Sequence, residues 1–291
     1  MPYILTLQGG CNSPLRFVHL HIYLSAHPHI FLSFALMKTA LITGSTSGIG
    51  LGMARAFARA GYQVAFNGLE KNGAEIAAAT SIDFGVKTTF SSANMLNPDE
   101  IRDMVRQAEA DFGQIDVLIN NAGIQFVSPV EDFPEEKWDA IIGINLTAGF
   151  HTSKAVWKGM KARGFGRIIN LTSAHALRAS EFKAAYVAAK HGVTGLTKVL
   201  ALEGAPYGIT CNAICPGYVK TPLVEGQIKD QARVHNLTEE EVATQVMLKK
   251  QAIKQFVEID AIAQLALFMA SEAAAQMTGV SVPVDGGWTA Q

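Results

Sequence analysis

Cysteine is scarce in this chain: Cys11, Cys211 and Cys215 are the three thiols among 291 residues. Three thiols cannot build a disulfide framework, so the fold must stand on its core, in a reducing compartment such as the cytoplasm. Cys211 and Cys215 are four apart with no histidine cluster beside them, which argues against a metal site. An excess of charge is missing too, since 24 Lys and Arg against 25 Asp and Glu leave a formal net charge of -1. Without a broad positive field, neither nucleic acid nor an anionic membrane is an expected partner. The apolar stretch from Phe17 to Leu36 is broken by His19, His21, His27, Pro28 and His29, which makes it a poor membrane span.

Lysine and acidic residues are absent from residues 1–36, which carry Arg16 and four of the eight histidines. The segment lacks both the basic start and the clean apolar run of a signal peptide. It reads as an N-terminal extension outside the fold, with the first strand opening just after Met37. Residues 37–291, in a chain that is 49% hydrophobic, suffice for one well-filled α/β domain.

From Lys38 onward short apolar runs alternate with longer amphipathic ones. Strands are expected at Thr39–Thr43, Gln63–Asn67, Lys87–Ser91, Val117–Asn120, Arg167–Thr172, Thr210–Cys215 and Ser281–Val284. Helices are expected at Ile49–Ala60, Gly73–Ser81, Pro98–Phe112, Glu135–Arg163, Ala185–Ala205 and Asp260–Ala270. Several strands are apolar on both faces, as in a parallel sheet covered by helices. The alternation predicts a Rossmann-type, doubly wound parallel sheet of about seven strands. One long interruption, residues 218–257, falls before the last strand. Thr238 ahead of Glu239, Glu240 and Glu241 marks a helix start within it. A helical lid over the carboxyl ends of the strands is expected there.

After the first strand come Thr43, Gly44, Ser45, Thr46, Ser47, Gly48, Ile49 and Gly50. Three glycines at this spacing permit a tight turn, close approach to a pyrophosphate and close helix–strand packing. The helix that follows aims its free N–H groups at the phosphates. The second strand ends in Phe66, Asn67, Gly68 and Leu69, with no Arg or Lys for a 2′-phosphate, which favours NAD over NADP. An acidic partner for the ribose is missing, and Gly68 stands where one is expected. Asn67 is either a ribose contact or a strand-end turn residue. The Asn94 carboxamide can accept from the adenine amino group, and Asn121, Ala122 and Gly123 close the fourth strand beside the cofactor.

Tyr186 and Lys190 are four apart and share a helix face, and Ser173 ends the fifth strand. A free phenol, at about 10, is too weak an acid for neutral proton transfer. An ammonium one turn away stabilises the phenolate.

Together these residues resemble the short-chain dehydrogenase/reductase family, from Met37 to Gln291. The resemblance implies a catalytic tetrad of Asn145, Ser173, Tyr186 and Lys190. In it Tyr186 is the acid/base and Ser173 bonds the reacting oxygen. Lys190 lowers the tyrosine pKa and holds the ribose, and Asn145 positions a relaying water. Pro216, Gly217, Val219 and Thr221 look like the loop that holds the carboxamide. Within the family, the glycine loop and the Ser173–Ala174–His175 turn are similar to those of bacterial D-3-hydroxybutyrate dehydrogenases. That likeness implies a small keto or hydroxy acid held by Gln125, His175, Lys183 and Gln227, with Trp288 closing the pocket. Tyr218 stands where a tryptophan is often found. A homotetramer, built on the outer faces of the two long helices, is also implied. Rival expectations are a sugar, polyol or acyl-thioester reductase of the same family, or a nicotinamide sensor without turnover.

Overall fold

The computed structural model describes residues 17–21, 31–35, 37–221, 224–225, 228, 232 and 237–290. Seven parallel strands form one sheet: β1 (Thr39–Ile42), β2 (Gln63–Asn67), β3 (Thr88–Ser91), β4 (Val117–Asn120), β5 (Gly166–Leu171), β6 (Ile209–Pro216) and β7 (Ser281–Val284). Their order is β3-β2-β1-β4-β5-β6-β7. The strand order reverses between β1 and β4, and such a switch point opens a crevice at the carboxyl ends of the strands. Phe17–His21 and Phe31–Ala35 make a separate antiparallel pair that shares no ladder with this sheet.

The period-two rule of strands divides the core into two layers. Ala40, Ile42, Val64 and Phe66 point to one face, where α1 (Gly48–Arg59) and α7 (Ile259–Ala270) bury Met53, Phe57, Ile262 and Met269. Leu41, Ala65, Leu118 and Ile168 point to the other. There α3 (Pro98–Phe112), α5 (Ala148–Arg163) and α6 (Ala184–Gly204) supply Ile101, Met104, Val156, Met160 and Leu200. Each fully buried Leu, Ile, Met or Phe contributes about 1.5–3 kcal/mol. Helix α3 shows how local sequence sets its ends. The Asn97 carboxamide accepts from the Asp99 and Glu100 N–H groups, and Pro98 fills the first turn. Gly113 then stops the helix at φ 83°. Helix α2 (Gly73–Phe84) completes the set beside β3.

Two segments depart from expectation. The helix foreseen over Glu135–Arg163 is interrupted: α4 (Glu135–Ile142) passes through a π-turn at Gly143–Thr147 before α5. The extra residue lets Asn145 turn its carboxamide onto Ile124, accepting from its N–H at 2.8 Å and donating to its carbonyl at 2.9 Å. Such bulges gather at functional sites, and hydrophobic periodicity cannot reveal them. In the lid, the Thr238 cap forms as a full capping box with Glu241, yet the α-helix lasts only Glu239–Glu241. A π-turn (Val242–Met247) and a 3-10 turn (Leu248–Lys250) follow. Ile228, Val242 and Met247 form a small core of their own with Tyr218, Leu237 and Phe256.

Candidate active site

A cleft of about 630 Å³ opens along the carboxyl ends of β1, β2, β4, β5 and β6. At its cofactor end, Gly44 and Gly48 take φ 60° and 53°, in the region that favours glycine. A Cβ on Gly50 would stand 2.1 Å from the Gly44 carbonyl oxygen and 2.4 Å from Asn121 Nδ2. The loop is therefore tight because the β4 turn is packed into it. The Asn121 carboxamide donates to the Thr43 and Gly44 carbonyls at 2.9 and 2.8 Å. In return the Thr43 hydroxyl accepts from the Asn121 and Ala122 N–H groups. Helix α1 carries no acid in its own first turn, and its N-terminus faces the cleft. Ser47, Gly48, Ile49, Gly123, Pro216, Gly217, Val219 and Thr221 all line the cleft, as the sequence led us to expect. This cradle of backbone N–H groups, too tight for a Cβ at Gly50, fits a dinucleotide pyrophosphate.

Two residues expected at the cofactor also have partners in neighbouring turns. Asn67 is buried and committed to the turn: Oδ1 accepts from Gly44 N–H at 3.2 Å, and Nδ2 donates to the Ser91 and Ala93 carbonyls at 3.1 and 2.9 Å. Both its N–H donors are used, and it shapes the glycine loop while also lining the cleft. Asn94 lines the cleft, but its Oδ1 accepts from Leu96 N–H at 2.9 Å in a local turn.

The acid that seemed absent is Glu70. It lines the cleft just past β2, where it accepts from the Thr46 and Ser47 hydroxyls. Partial burial works to raise its pKa, but the hydrogen bonds from Thr46, Ser47 and nearby backbone outweigh that and hold it low. A Cβ at Gly68 would collide with the Thr46 hydroxyl at 2.0 Å, so the glycine makes room for this contact. The anion was missed because it lies three residues beyond the strand end.

At the other end stand Ser173, Tyr186 and Lys190. The four-residue spacing does place Tyr186 and Lys190 together, with Lys190 Nζ 5.5 Å from the phenol ring centroid. Lys190 is buried and donates to the Leu171 carbonyl at 2.9 Å. Burial lowers its pKa to about 8, with the Cys215 thiol opposing. Ser173 hydrogen-bonds Tyr186, which pulls the phenol pKa down, but burial is the larger effect and raises it. The expectation that Lys190 makes Tyr186 acidic is thus not met by the protein alone, because desolvation of the phenolate dominates.

The substrate end is cationic. Lys183 Nζ lies 5.7 Å from the Tyr218 ring centroid, and burial, then Lys250, lowers its pKa to about 8. Among the described residues Gln125 Nε2 is buried without a hydrogen-bond partner. Trp288 is buried, stacked on Tyr218 (5.5 Å between centroids, 9° between planes) and edge-on to His175 at 5.0 Å. His175 is held neutral: burial, then Lys183, Lys250 and His191, push its pKa down to about 3. Gln227 lies outside the described residues.

Four residues here escaped the sequence reading. Gln251, fully buried, accepts from Tyr218 N–H at 3.1 Å and donates to the Ile253 and Gln255 carbonyls, clamping the lid to the β6 loop. Ser180 and Lys250 approach His175 from the β5–α6 loop and the lid. Phe182, just before Lys183, sits at φ 66°, a strained backbone for a bulky residue.

A family model described as enoyl-(acyl carrier protein) reductase matches residues 44–289. The D-beta-hydroxybutyrate dehydrogenase of Rhizobium meliloti (strain 1021) is 53% identical over 259 residues, covering 88% of this chain and 100% of that protein. The chain belongs to the short-chain dehydrogenase/reductase family. A protein of the same name from Cupriavidus necator is 50% identical over 254 residues, covering 87% of this chain and 98% of its own length. Among solved structures, an actinorhodin polyketide ketoreductase variant with NADPH superposes with a TM-score of 0.83 at 32% identity. That match covers 88% of this chain and 98% of the ketoreductase. Levodione reductase gives 0.81 at 32% identity, covering 87% and 98%. In this family the arrangement of cleft, tyrosine and lysine belongs to oxidoreductases that use a nicotinamide dinucleotide.

Proposed function

We propose that this enzyme interconverts D-3-hydroxybutyrate and acetoacetate with NAD as cofactor. The observation that carries the substrate is the pairing of Lys183 with the unpartnered Gln125 Nε2, one cation and one free donor beside Ser173 and Tyr186. A carboxylate entering a half-dry pocket needs that pairing, whereas a neutral sugar or polyol does not. Two relatives at half identity carry the same activity in their names. The anionic Glu70 supports NAD, since a 2′-phosphate near it would meet like charge.

The glycine loop, Ala122, Gly123 and the Pro216–Thr221 turn would hold the dinucleotide, with Lys190 at its ribose; bound there, it supplies and accepts hydride. In reduction Tyr186 gives its proton to the ketone oxygen; in oxidation it takes the alcohol proton. Ser173 donates to that same oxygen and orients the carbonyl. The Lys190 ammonium favours the phenolate, and Asn145 keeps the β4 exit loop in place through Ile124. Trp288 and Tyr218 wall the substrate end of the pocket. Phe150, Val199 and Leu202 are exposed on α5 and α6, and a homotetramer in the cytoplasm would cover them. Among the described residues no helix is long and apolar enough to cross a membrane. Residues 1–36 stand outside the catalytic domain in this reading.

The test is turnover of D-3-hydroxybutyrate with NAD, followed by reduced-nicotinamide absorbance, beside a panel of sugars, polyols and acyl thioesters. Tyr186→Phe should abolish turnover, a loss of more than about a thousandfold, while the dinucleotide still binds. Normal turnover in that variant would remove Tyr186 from the chemistry.

A further inference from the structure

A chain of side-chain contacts runs from the lid to the reacting groups. Lys250 Nζ lies 3.4 Å from Ser180 Oγ. Ser180 Oγ lies 3.2 Å from His175 Nε2, and His175 Nδ1 lies 3.2 Å from Ser173 Oγ. Ser173 in turn hydrogen-bonds Tyr186. Four of these groups can donate or accept, so distances alone leave the direction of the chain open. The ammonium does not have that freedom: it has three donors and no acceptor.

Its direction propagates. Ser180 Oγ accepts from Lys250; its second lone pair is open to an Nε2–H, but that N–H would point toward the ammonium, so the favoured arrangement turns the Ser180 proton onto His175 Nε2. Nε2, as acceptor, carries no proton, and a neutral imidazole must then carry its proton on Nδ1. Nδ1–H donates to Ser173 Oγ, which also accepts from the His175 backbone N–H at 3.2 Å. With both lone pairs engaged, Ser173 is left as a donor, and its O–H points to the Tyr186 oxygen. The opposite tautomer would place an N–H toward the Lys250 charge and draw the Ser173 proton back onto Nδ1. Ring rotation gives no escape, because Trp288 and Tyr186 pack edge-on against the imidazole at 5.0 and 5.8 Å.

We infer that Lys250 and Ser180 are positioning residues that fix His175 as the Nδ1–H tautomer and so make Ser173 a pure donor at the reacting oxygen. The inference rests on the proposed role of Ser173 and Tyr186 in proton transfer.

The decisive measurement is the protonation of His175 in the intact enzyme, by 15N NMR of histidine-labelled protein or by neutron diffraction. The expected result is a proton on Nδ1 and a bare Nε2. In Lys250→Met the Nε2–H form should gain population, and Lys250→Arg should restore the original signature. Ser180→Ala and Lys250→Met should each lower kcat about tenfold with KM for D-3-hydroxybutyrate little changed, and Lys250→Arg should recover kcat. A proton on Nε2 in the unmodified enzyme overturns the inference. So does an unchanged kcat with a raised KM in Lys250→Met, which would make Lys250 a carboxylate ligand instead. If Nδ1–H is found but D-3-hydroxybutyrate is not turned over, the substrate assignment fails and the tautomer stands.

Discussion

Replacing Lys183 with methionine would remove one ammonium and leave a stem of similar length against Tyr218. A hydrogen bond to a charged group contributes about 1.5–3 kcal/mol net, which is roughly a ten- to hundredfold change in binding. The KM for D-3-hydroxybutyrate and for acetoacetate should rise by that factor. The kcat should move much less, because Lys183 serves the carboxylate and not the oxygen at Tyr186. The pH dependence sharpens the test. Burial first, then Lys250, lowers the Lys183 pKa to about 8, so the cation is present below that pH and lost above it. In the unmodified enzyme KM should be flat below about pH 8 and rise about tenfold per pH unit above it, until binding by the neutral amine takes over. Lys183→Met should be flat at the high value, so the two profiles converge in alkali. Lys190 also titrates at about 8, but its effect belongs to kcat and should persist in the variant. Initial rates in both directions, across pH, measure all of this. An unchanged KM in Lys183→Met, or a variant that keeps the alkaline rise, would refute the assignment of the carboxylate to Lys183.

Three further perturbations probe the frame around that site. Gly50→Ala sets a methyl 2.1 Å from a backbone carbonyl that cannot retreat, so Tm should fall by an amount equivalent to about 1–3 kcal/mol and dinucleotide affinity should drop; a variant that binds NAD normally would show the loop to be slack. Glu70→Gln removes the negative charge beside the Thr46 and Ser47 hydroxyls and should shift the NADP-to-NAD ratio of kcat/KM toward NADP by about tenfold; an unchanged ratio would place cofactor selection elsewhere. Gln251→Ala takes the partner from the buried Tyr218 N–H and the Gln255 carbonyl under the lid, while the Ile253 carbonyl keeps the Gln255 N–H, so denaturant unfolding should show a loss of about 2–3 kcal/mol; a loss near zero would mean that the lid is not clamped there.

What the sequence made legible was everything that repeats. Alternating apolar runs placed all seven strands of the sheet to within about two residues, because buried parallel strands and amphipathic helices obey fixed periods. The glycine loop and the Tyr186–Lys190 pair were readable for a related reason: local spacing there determines spatial proximity. Asn67, Glu70 and Asn145 show where this stops. Each is a short polar side chain whose partner lies 20 or more residues away, in Gly44, Thr46 and Ile124 respectively. Which partner it takes depends on the packing of two turns against each other, and no period encodes that. A lysine four residues from Tyr186 is visible in sequence, whereas the depth of burial, which works to raise the phenol pKa, is not. The cleft therefore carries two kinds of residue. Those at local spacing supply the reactive groups, and those joined across turns fix lone pairs and protons. A substitution of the first kind should abolish turnover outright, whereas one of the second kind should leave the fold standing and degrade rate or selectivity by about tenfold.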